Sequence, residues 1–170
     1  MKWASQGATE SARYGVIPRT LVFVQHGEDL LLLRGAPDKR LWAGRLNGLG
    51  GHVAAGEDIL SSARREVLEE AGLLPDALAL RGLIHVTGKE DAPGVLLFVF
   101  MGVVGSPVLH PGGEGNLAWY PLDALPWDEM VEDLPLLLPR LLAAEASGQL
   151  VYGHYEADAA GRMRFHFLES

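Results

Sequence analysis

Two short apolar runs near the start of the chain predict paired β-strands. Residues 20–25 and 29–34 both have strand-like composition, and a short break that contains Gly27 and Glu28 separates them. A glycine-containing break of this length between apolar runs favours a hairpin turn. The preceding residues show no hydrophobic periodicity, so we expect a loose leader over 1–15 and a single domain over 16–170.

The hydrophobic spacing becomes helical after a glycine-rich segment that we interpret as a long loop. The repeat predicts a helix over 58–71, with Gly72 placed as its C-cap. Its apolar face consists of residues spaced four apart: Ile59, Ala63, Val67 and Ala71. A helix with one apolar stripe packs that stripe against another layer of structure.

The second half of the chain predicts further strands and a second helix. Strand-like runs occupy residues 83–86, 95–104 and 116–122, an amphipathic helix is predicted over 134–145, and 151–156 with 163–168 are expected to form a terminal hairpin. Mixed strands with two amphipathic helices predict an α/β fold with layers of both kinds.

Composition and charge restrict the chemistry available to this chain. Its 170 residues include no cysteine, which excludes disulfides, thiolate metal sites and cysteine nucleophiles. The net charge of -8 and the lack of clustered Lys and Arg argue against a nucleic acid polymer as partner. The longest apolar run, 95–104, is too short to span a membrane, and we expect a cytoplasmic location. An anionic small ligand would need a metal as intermediary.

Three carboxylates are predicted to share one face of the first helix. Glu66, Glu69 and Glu70 stand at helical spacings of three and four, and each like-charged pair costs a helix about 0.2 to 0.5 kcal/mol. A divalent cation among them would relieve this repulsion, and ligation by carboxylates alone selects Mg²⁺ or Mn²⁺. Arg65 is placed to hold one carboxylate by a bidentate pair. The alternative interpretation is an ordinary solvated acidic face.

The residues around these carboxylates follow a strict spacing. In order they are Gly51, Glu57, Arg65, Glu66, Val67, Glu69, Glu70, Gly72 and Leu73. This is the pattern of the Nudix box, and the chain resembles the Nudix hydrolases. The resemblance implies a mixed β-sheet sandwiched between helices (α/β/α) and hydrolysis of a nucleoside diphosphate linked to another group, with Mg²⁺ or Mn²⁺ as cofactor.

The resemblance also assigns roles to individual residues. It implies metal ligation by Glu66, Glu69, Glu70 and the carbonyl of Gly50, with one of the catalytic carboxylates accepting a proton from the attacking water. Glu57 and Arg65 would brace the loop against the helix. An acidic loop residue, Glu114, would contribute to the metal site, although a solvated loop acid is the alternative.

A second segment narrows the resemblance within the family. Residues 39–53 are similar to the MutT-type hydrolases of oxidised purine nucleoside triphosphates, in particular the animal 8-oxo-dGTP diphosphatases. The resemblance implies that Asn47 hydrogen-bonds the purine, which suits an amide that both donates and accepts. The alternative is a turn-forming Asn-Gly pair. The predicted substrate-binding residues are Thr20, Trp42, Asn47 and Asp133.

Two positions depart from the animal enzymes. Val131 stands where they have a base-stacking Trp, and Leu134 stands where they have a second consecutive Asp. Recognition of the base by these two positions is therefore expected to differ from that in the animal enzymes. Trp42 could supply the stacking instead, although an aromatic side chain in a loop is more often used for packing.

Three functions compete at this point. The first is hydrolysis of a small-molecule nucleotide, a purine nucleoside triphosphate, to nucleoside monophosphate and pyrophosphate. The second is a Nudix hydrolase of another substrate, such as a nucleotide sugar or a pterin triphosphate. The third is a non-catalytic relative that binds nucleotide or protein, against which the intact carboxylate set argues. The sequence leaves the exact base and the oligomeric state open.

Overall fold

A computed structural model describes residues 14–37, 42–88, 92–110 and 115–168. The described residues form β-strands, two α-helices and two short 3-10 helices. The strands are β1 (Val16–His26), β2 (Asp29–Gly35), β3 (Leu46–Asn47), β4 (Ala77–Val86), β5 (Gly94–Val103), β6 (Gly115–Pro121), β7 (Val151–Ala157) and β8 (Met163–Leu168). The helices are α1 (Ile59–Ala71), α2 (Leu134–Ser147) and the 3-10 helices Leu122–Ala124 and Trp127–Glu129.

The strands form one mixed sheet. Its order is β3-β2-β1-β5-β4-β7-β8, and β6 pairs with β2. The β1–β5 and β4–β7 pairs are parallel, whereas β1–β2, β4–β5 and β7–β8 are antiparallel. The predicted hairpin between β1 and β2 is confirmed, and Gly27 adopts a positive φ of 58° in its turn. The predicted terminal hairpin of β7 and β8 is confirmed as well.

Alternate side chains of β1 point into two separate cores. Phe23 belongs to the core that α2 covers, whereas Val22 belongs to the core that α1 covers. The period-two alternation of a strand produces this division, because neighbouring side chains point to opposite faces. The sheet therefore lies between two helices, and the α/β/α arrangement is confirmed.

The first helix ends where the sequence predicts. Asp58 caps its start by accepting a hydrogen bond from the Ser61 N–H at 2.9 Å, and Gly72 ends it in the left-handed conformation with φ of 68°. The stripe residues Ala63, Val67 and Ala71 are fully buried. Neither α1 nor α2, the α-helices of the described ranges, is long and apolar enough to span a membrane.

Two strands extend beyond the predicted runs. β1 begins at Val16 and pairs with β5 along almost its whole length, and β4 begins six residues before the predicted start at residue 83. The early part of β4 lacks β-branched residues and contains a bulge between Leu80 and Gly82, so its pattern does not mark a strand. Most of the predicted leader lies outside the described residues, but the Gly15 carbonyl accepts a hydrogen bond from the Gly94 N–H.

Candidate active site

The glycine-rich loop before α1 is hydrogen-bonded to β1. Val22 and Leu49 exchange two backbone hydrogen bonds of 2.7 and 2.9 Å, and the Thr20 N–H donates to the Gly51 carbonyl at 2.9 Å. These bonds continue the sheet for a few residues without forming a full strand. They hold the loop backbone between β1 and the acidic face of α1.

Two glycines in this loop lie very close to neighbouring elements, and Gly50 is required by its conformation and its backbone contact. Gly50 has a φ of 135°, which L side chains rarely adopt, and a Cβ there would overlap the backbone carbonyl of Thr20. A Cβ on Gly51 would overlap the carboxylate of Glu66. The loop therefore approaches β1 more closely than any other residue type allows, whereas a side chain at position 51 would require the end of the Glu66 side chain to move.

Two of the three helix carboxylates face this loop. Glu70 is only 7% exposed, and its Oε2 accepts a 2.8 Å hydrogen bond from the Gly50 N–H. The Glu66 carboxylate lies against Gly51, one helical turn before Glu70. The side chain of Glu69 is 59% exposed and points more toward solvent. The acidic face is thus divided into an inner pair and an outer carboxylate.

Arg65 connects all the remaining acidic groups of the motif. It donates two hydrogen bonds to Glu57, and its Nη1 donates to Glu66 at 2.9 Å and to Glu69 at 3.0 Å. The Ala54 N–H also donates to Glu57 at 2.7 Å. Arg65 and then the Ala54 N–H lower the pKa of Glu57 to about 2. These bonds tie the loop to the helix at the bracing positions that the sequence predicts.

The donor set of this region fits a hard divalent cation. All its candidate ligands are oxygens, and the carboxylates of Glu66 and Glu70 converge on the glycine loop from one helix face. Within the described residues, no three Asp, Glu or His side chains come together as a closed metal site. Glu66 and Glu69 instead form ion pairs with Arg65. Glu114, another predicted ligand, lies outside the described residues.

A cavity of about 540 Å³ opens beside Gly50. Its lining includes all four predicted substrate-binding residues: Thr20, Trp42, Asn47 and Asp133. Val131, one of the two departures from the animal enzymes, also lines it. Leu134, the other departure, is fully buried in the core under α2. The cavity thus extends from the glycine-rich loop to a group of polar and apolar side chains that includes Asn47, Asp133 and Val131.

The polar side chains of the cavity are positioned by different elements. The Asn47 Oδ1 accepts a 2.8 Å hydrogen bond from the Gly48 N–H, so part of the turn-forming interpretation is observed. Its amide nitrogen makes no hydrogen bond with the residues described. Trp42 packs over Gly35, where a Cβ would lie 2.6 Å from the indole ring, and it lines the cavity as well. Trp42 therefore both packs against the protein and lines the cavity.

Asp133 holds an unusual position at the start of α2. It is the N-cap residue, yet its side chain makes no capping hydrogen bond. Its carboxyl group lines the cavity instead, and burial raises its pKa. An Asp at this position normally stabilises a helix by capping it, so the orientation of Asp133 gives up that contribution.

Tyr155 is a cavity residue that the sequence did not indicate. It belongs to β7, is 4% exposed and lines the same cavity as Asn47 and Asp133. Burial and then the neighbouring Asp133 charge raise the pKa of Tyr155. Only its place in a predicted strand is visible in the sequence, because the residues that meet it come from distant parts of the chain.

The fold is that of a known class of hydrolases. The model of the NUDIX domain family matches residues 16–141. The chain is 36% identical over 125 residues to the oxidized purine nucleoside triphosphate hydrolase of Mus musculus, covering 72% of this chain and 78% of that protein. The protein of the same name from Danio rerio is 35% identical over 125 residues, which again cover 72% of this chain and 78% of that protein. The chain belongs to the Nudix family.

A solved structure supports the fold independently. The crystal structure of a MutT protein from Bacillus halodurans aligns with a TM-score of 0.72 and 20% sequence identity, covering 89% of this chain and 97% of that one. The structural alignment covers a larger share of the chain than the family match over residues 16–141.

Proposed function

We propose that this chain is a Mg²⁺-dependent Nudix hydrolase that cleaves oxidised purine nucleoside triphosphates to nucleoside monophosphate and pyrophosphate. The observation that carries the proposal is a single cavity that joins Asn47 and Asp133 to Gly50, whose N–H binds Glu70. A base held at one end would place its phosphates beside the carboxylates at the other. The names of the mouse and zebrafish relatives support the same substrate class.

The charges of the chain support the role of a cation in this site. A triphosphate would meet Glu66, Glu69 and Glu70, and these acids repel it unless positive charge intervenes. The carboxylates and the Gly50 carbonyl would hold Mg²⁺ or Mn²⁺, which would supply that charge and orient a water for in-line attack. Arg19 and Arg45 line the cavity and add positive charge of the protein's own.

The remaining steps are performed by residues of the chain. One carboxylate of α1 accepts a proton from the attacking water, the new P–O bond forms, and the P–O bond to pyrophosphate breaks. Arg65 and Glu57 keep the loop and α1 in one arrangement while this occurs. Asn47 and Asp133 hydrogen-bond the purine edge, which selects the base without taking part in the chemistry.

The proposal is tested by a product assay on a panel of nucleotides. Purified protein with Mg²⁺ is incubated with oxidised and ordinary purine triphosphates, pyrimidine triphosphates and a nucleoside diphosphate sugar. We expect release of pyrophosphate and monophosphate, with oxidised purine triphosphates turned over best and Glu70→Gln inactive. Turnover of the sugar nucleotide without pyrophosphate release would favour the second interpretation, a Nudix hydrolase of another diphosphate-linked substrate. A cytoplasmic location fits the proposed substrate and stays a prediction.

A further inference from the structure

Arg19 contributes to the cavity wall a positive charge that the protein itself leaves unpaired. The residue lies on β1, is half-buried and lines the cavity. Its guanidinium makes no hydrogen bond or ion pair with the residues that the structure describes. Arg45 also lines the cavity, but its Nη1 donates to the Asp128 carbonyl at 2.7 Å. The N–H donors of Arg19 are therefore available to a ligand.

The strand geometry explains why Arg19 borders the cavity. Side chains of a strand alternate between its two faces, so Arg19 shares a face with Leu21 and Phe23. Those two residues belong to the core that α2 covers. Leu97, which is paired with Arg19 on the neighbouring strand β5, lines the cavity too. Arg19 thus stands where the apolar core of this face ends and the cavity begins.

Arg19 lies at the opposite end of the glycine-rich loop from Asn47. The loop runs antiparallel to β1, with Leu49 beside Val22 and His52 beside Arg19. Asn47 precedes Leu49 in the chain, so it lies beyond the Val22 end of this pairing. The three strand positions from Val22 to Arg19 span about 10 Å. A nucleotide has its ribose between the base and the first phosphate, and its two ends need binding groups that are separated in this way.

The Arg19 end of the loop borders the carboxylates of α1. Gly51 lies against the Glu66 carboxylate, and its carbonyl accepts a 2.9 Å hydrogen bond from the N–H of Thr20, the residue after Arg19. With the base at the other end, the first phosphate after the ribose would reach Arg19, and the later phosphates would continue toward the carboxylates and their cation. A guanidinium binds phosphate oxygens through paired, charged hydrogen bonds.

We propose that Arg19 is a specificity-determining residue that binds the α-phosphate of the nucleotide, which is the phosphate retained in the nucleoside monophosphate product. Its guanidinium donates hydrogen bonds to the non-bridging oxygens of this phosphate and offsets their charge. Arg19 thereby distinguishes a phosphorylated nucleoside from a free nucleoside. The inference rests on the proposed function, which places a purine nucleotide in this cavity, and it adds a phosphate contact made by the protein itself.

The test measures equilibrium binding of three probes to the full chain. The probes are a purine nucleoside monophosphate, the same nucleoside without phosphate, and inorganic pyrophosphate, each followed by titration calorimetry or NMR. We expect Arg19→Gln to raise the Kd for the monophosphate about tenfold or more, because charged hydrogen bonds are lost. The Kd values for the nucleoside and for pyrophosphate should stay nearly unchanged. Arg19→Lys should have an intermediate Kd for the monophosphate, because it keeps the charge and loses the paired geometry.

Arg162→Gln is the matched control, because it removes one positive charge from a residue outside the cavity lining. The Arg162 side chain is 78% exposed and pairs with Asp158. All three Kd values of this variant should equal those of the wild type. Equal weakening of nucleoside and monophosphate binding by Arg19→Gln would show that Arg19 shapes the pocket, and it would overturn the inference. An unchanged Kd for the monophosphate, or a rise confined to pyrophosphate, would overturn it as well.

The two proposals fail in distinguishable ways. A wild-type protein that binds the monophosphate through Arg19 but releases no pyrophosphate from purine triphosphates contradicts the proposed function and not this contact. A wild-type protein that hydrolyses purine triphosphates, together with an Arg19→Gln variant of unchanged Kd for the monophosphate, contradicts the inference alone.

Discussion

Arg65 binds Glu57 through two hydrogen bonds, from Nε to Oε2 at 3.1 Å and from Nη2 to Oε1 at 2.8 Å. The pair joins α1 to the loop that precedes it, and the same guanidinium also contacts Glu66 and Glu69. One cation of the protein thereby offsets part of the repulsion among several acids. The arrangement explains how the helix tolerates its acidic face before any ligand arrives.

The Glu57–Arg65 pair should make stability depend on acid pH. The folded-state pKa of Glu57 is about 2, below its usual 4.5, so the ionised form is favoured by folding. Its contribution is fully present above pH 4.5 and is lost as the pH falls toward 2. We expect Glu57→Gln to be less stable than wild type at pH 6, with the gap narrowing below pH 4.5. Denaturant unfolding of both proteins at several pH values measures the gap, and a constant gap would contradict the assignment.

The carboxylates of α1 should control turnover more than folding. Glu70→Gln and Glu69→Gln should each reduce kcat by at least about a hundredfold, as expected for loss of a ligand or base. Glu57→Gln should be milder, because Glu57 acts through Arg65. The exposed hairpin residue Glu28 offers a matched control, and Glu28→Gln should retain full activity. Circular dichroism checks the fold, and near-normal rates in either helix variant would remove the metal-cluster assignment.

Substitution of Gly50 should lower the free energy of unfolding more than substitution of another glycine with positive φ. Gly50 and Gly56 have φ of 135° and 89°, but only Gly50 has a neighbour, the Thr20 carbonyl, in the space of a Cβ. Gly56→Ala should cost about 1 kcal/mol through backbone strain alone. Gly50→Ala should cost about 1 to 3 kcal/mol more, because the loop must move off β1. Equal free energies of unfolding for the two variants would show that the close approach is not needed.

Substitution of Asn47 should weaken substrate binding and leave the rate of the chemical step largely unchanged. Loss of one partner of a buried hydrogen bond costs about 1 to 3 kcal/mol. Asn47→Ala should therefore raise KM for the best purine triphosphate about tenfold or more and leave kcat largely unchanged. With Val131 in place of a stacking Trp, we also expect several purine triphosphates to be accepted. Kinetics on a panel of purine and pyrimidine triphosphates test both points, and an Asn47→Ala profile identical to wild type would argue against base recognition.

The ionised side chain of Asp133 should lower the free energy of unfolding at neutral pH. Burial raises its pKa above the usual 3.8, so the protonated form is favoured by folding. Its contribution is greatest below pH 3.8 and is lost as the pH rises through the raised value. Asp133→Asn should accordingly be more stable than wild type at pH 7, with the difference shrinking in acid. Thermal unfolding across this range measures the effect, and a variant less stable at pH 7 would indicate a structural role.

The local pattern of the sequence determined much of the fold and the acidic part of the site. The spacing of Ala63, Val67 and Ala71 predicts α1, because a helix brings every fourth residue to one face. The same geometry gathers Glu66 and Glu70 without help from distant residues. Arg65 and Glu57 lie eight positions apart, and the resemblance to the motif predicts that both brace the loop against the helix, without saying which carboxylate Arg65 holds.

Only the tertiary structure decided what surrounds the base-binding end of the cavity. The pleated sheet and α2 bring Asn47, Asp133 and Tyr155 together from positions up to 108 residues apart, and no local period connects them. The sequence gives Tyr155 only a place in a predicted strand, and the tertiary structure buries it beside Asp133. The extent of β4 was likewise fixed by pairing with β5 and not by composition. Burial and strand pairing depend on contacts between distant segments, and such contacts exist only after the chain has folded.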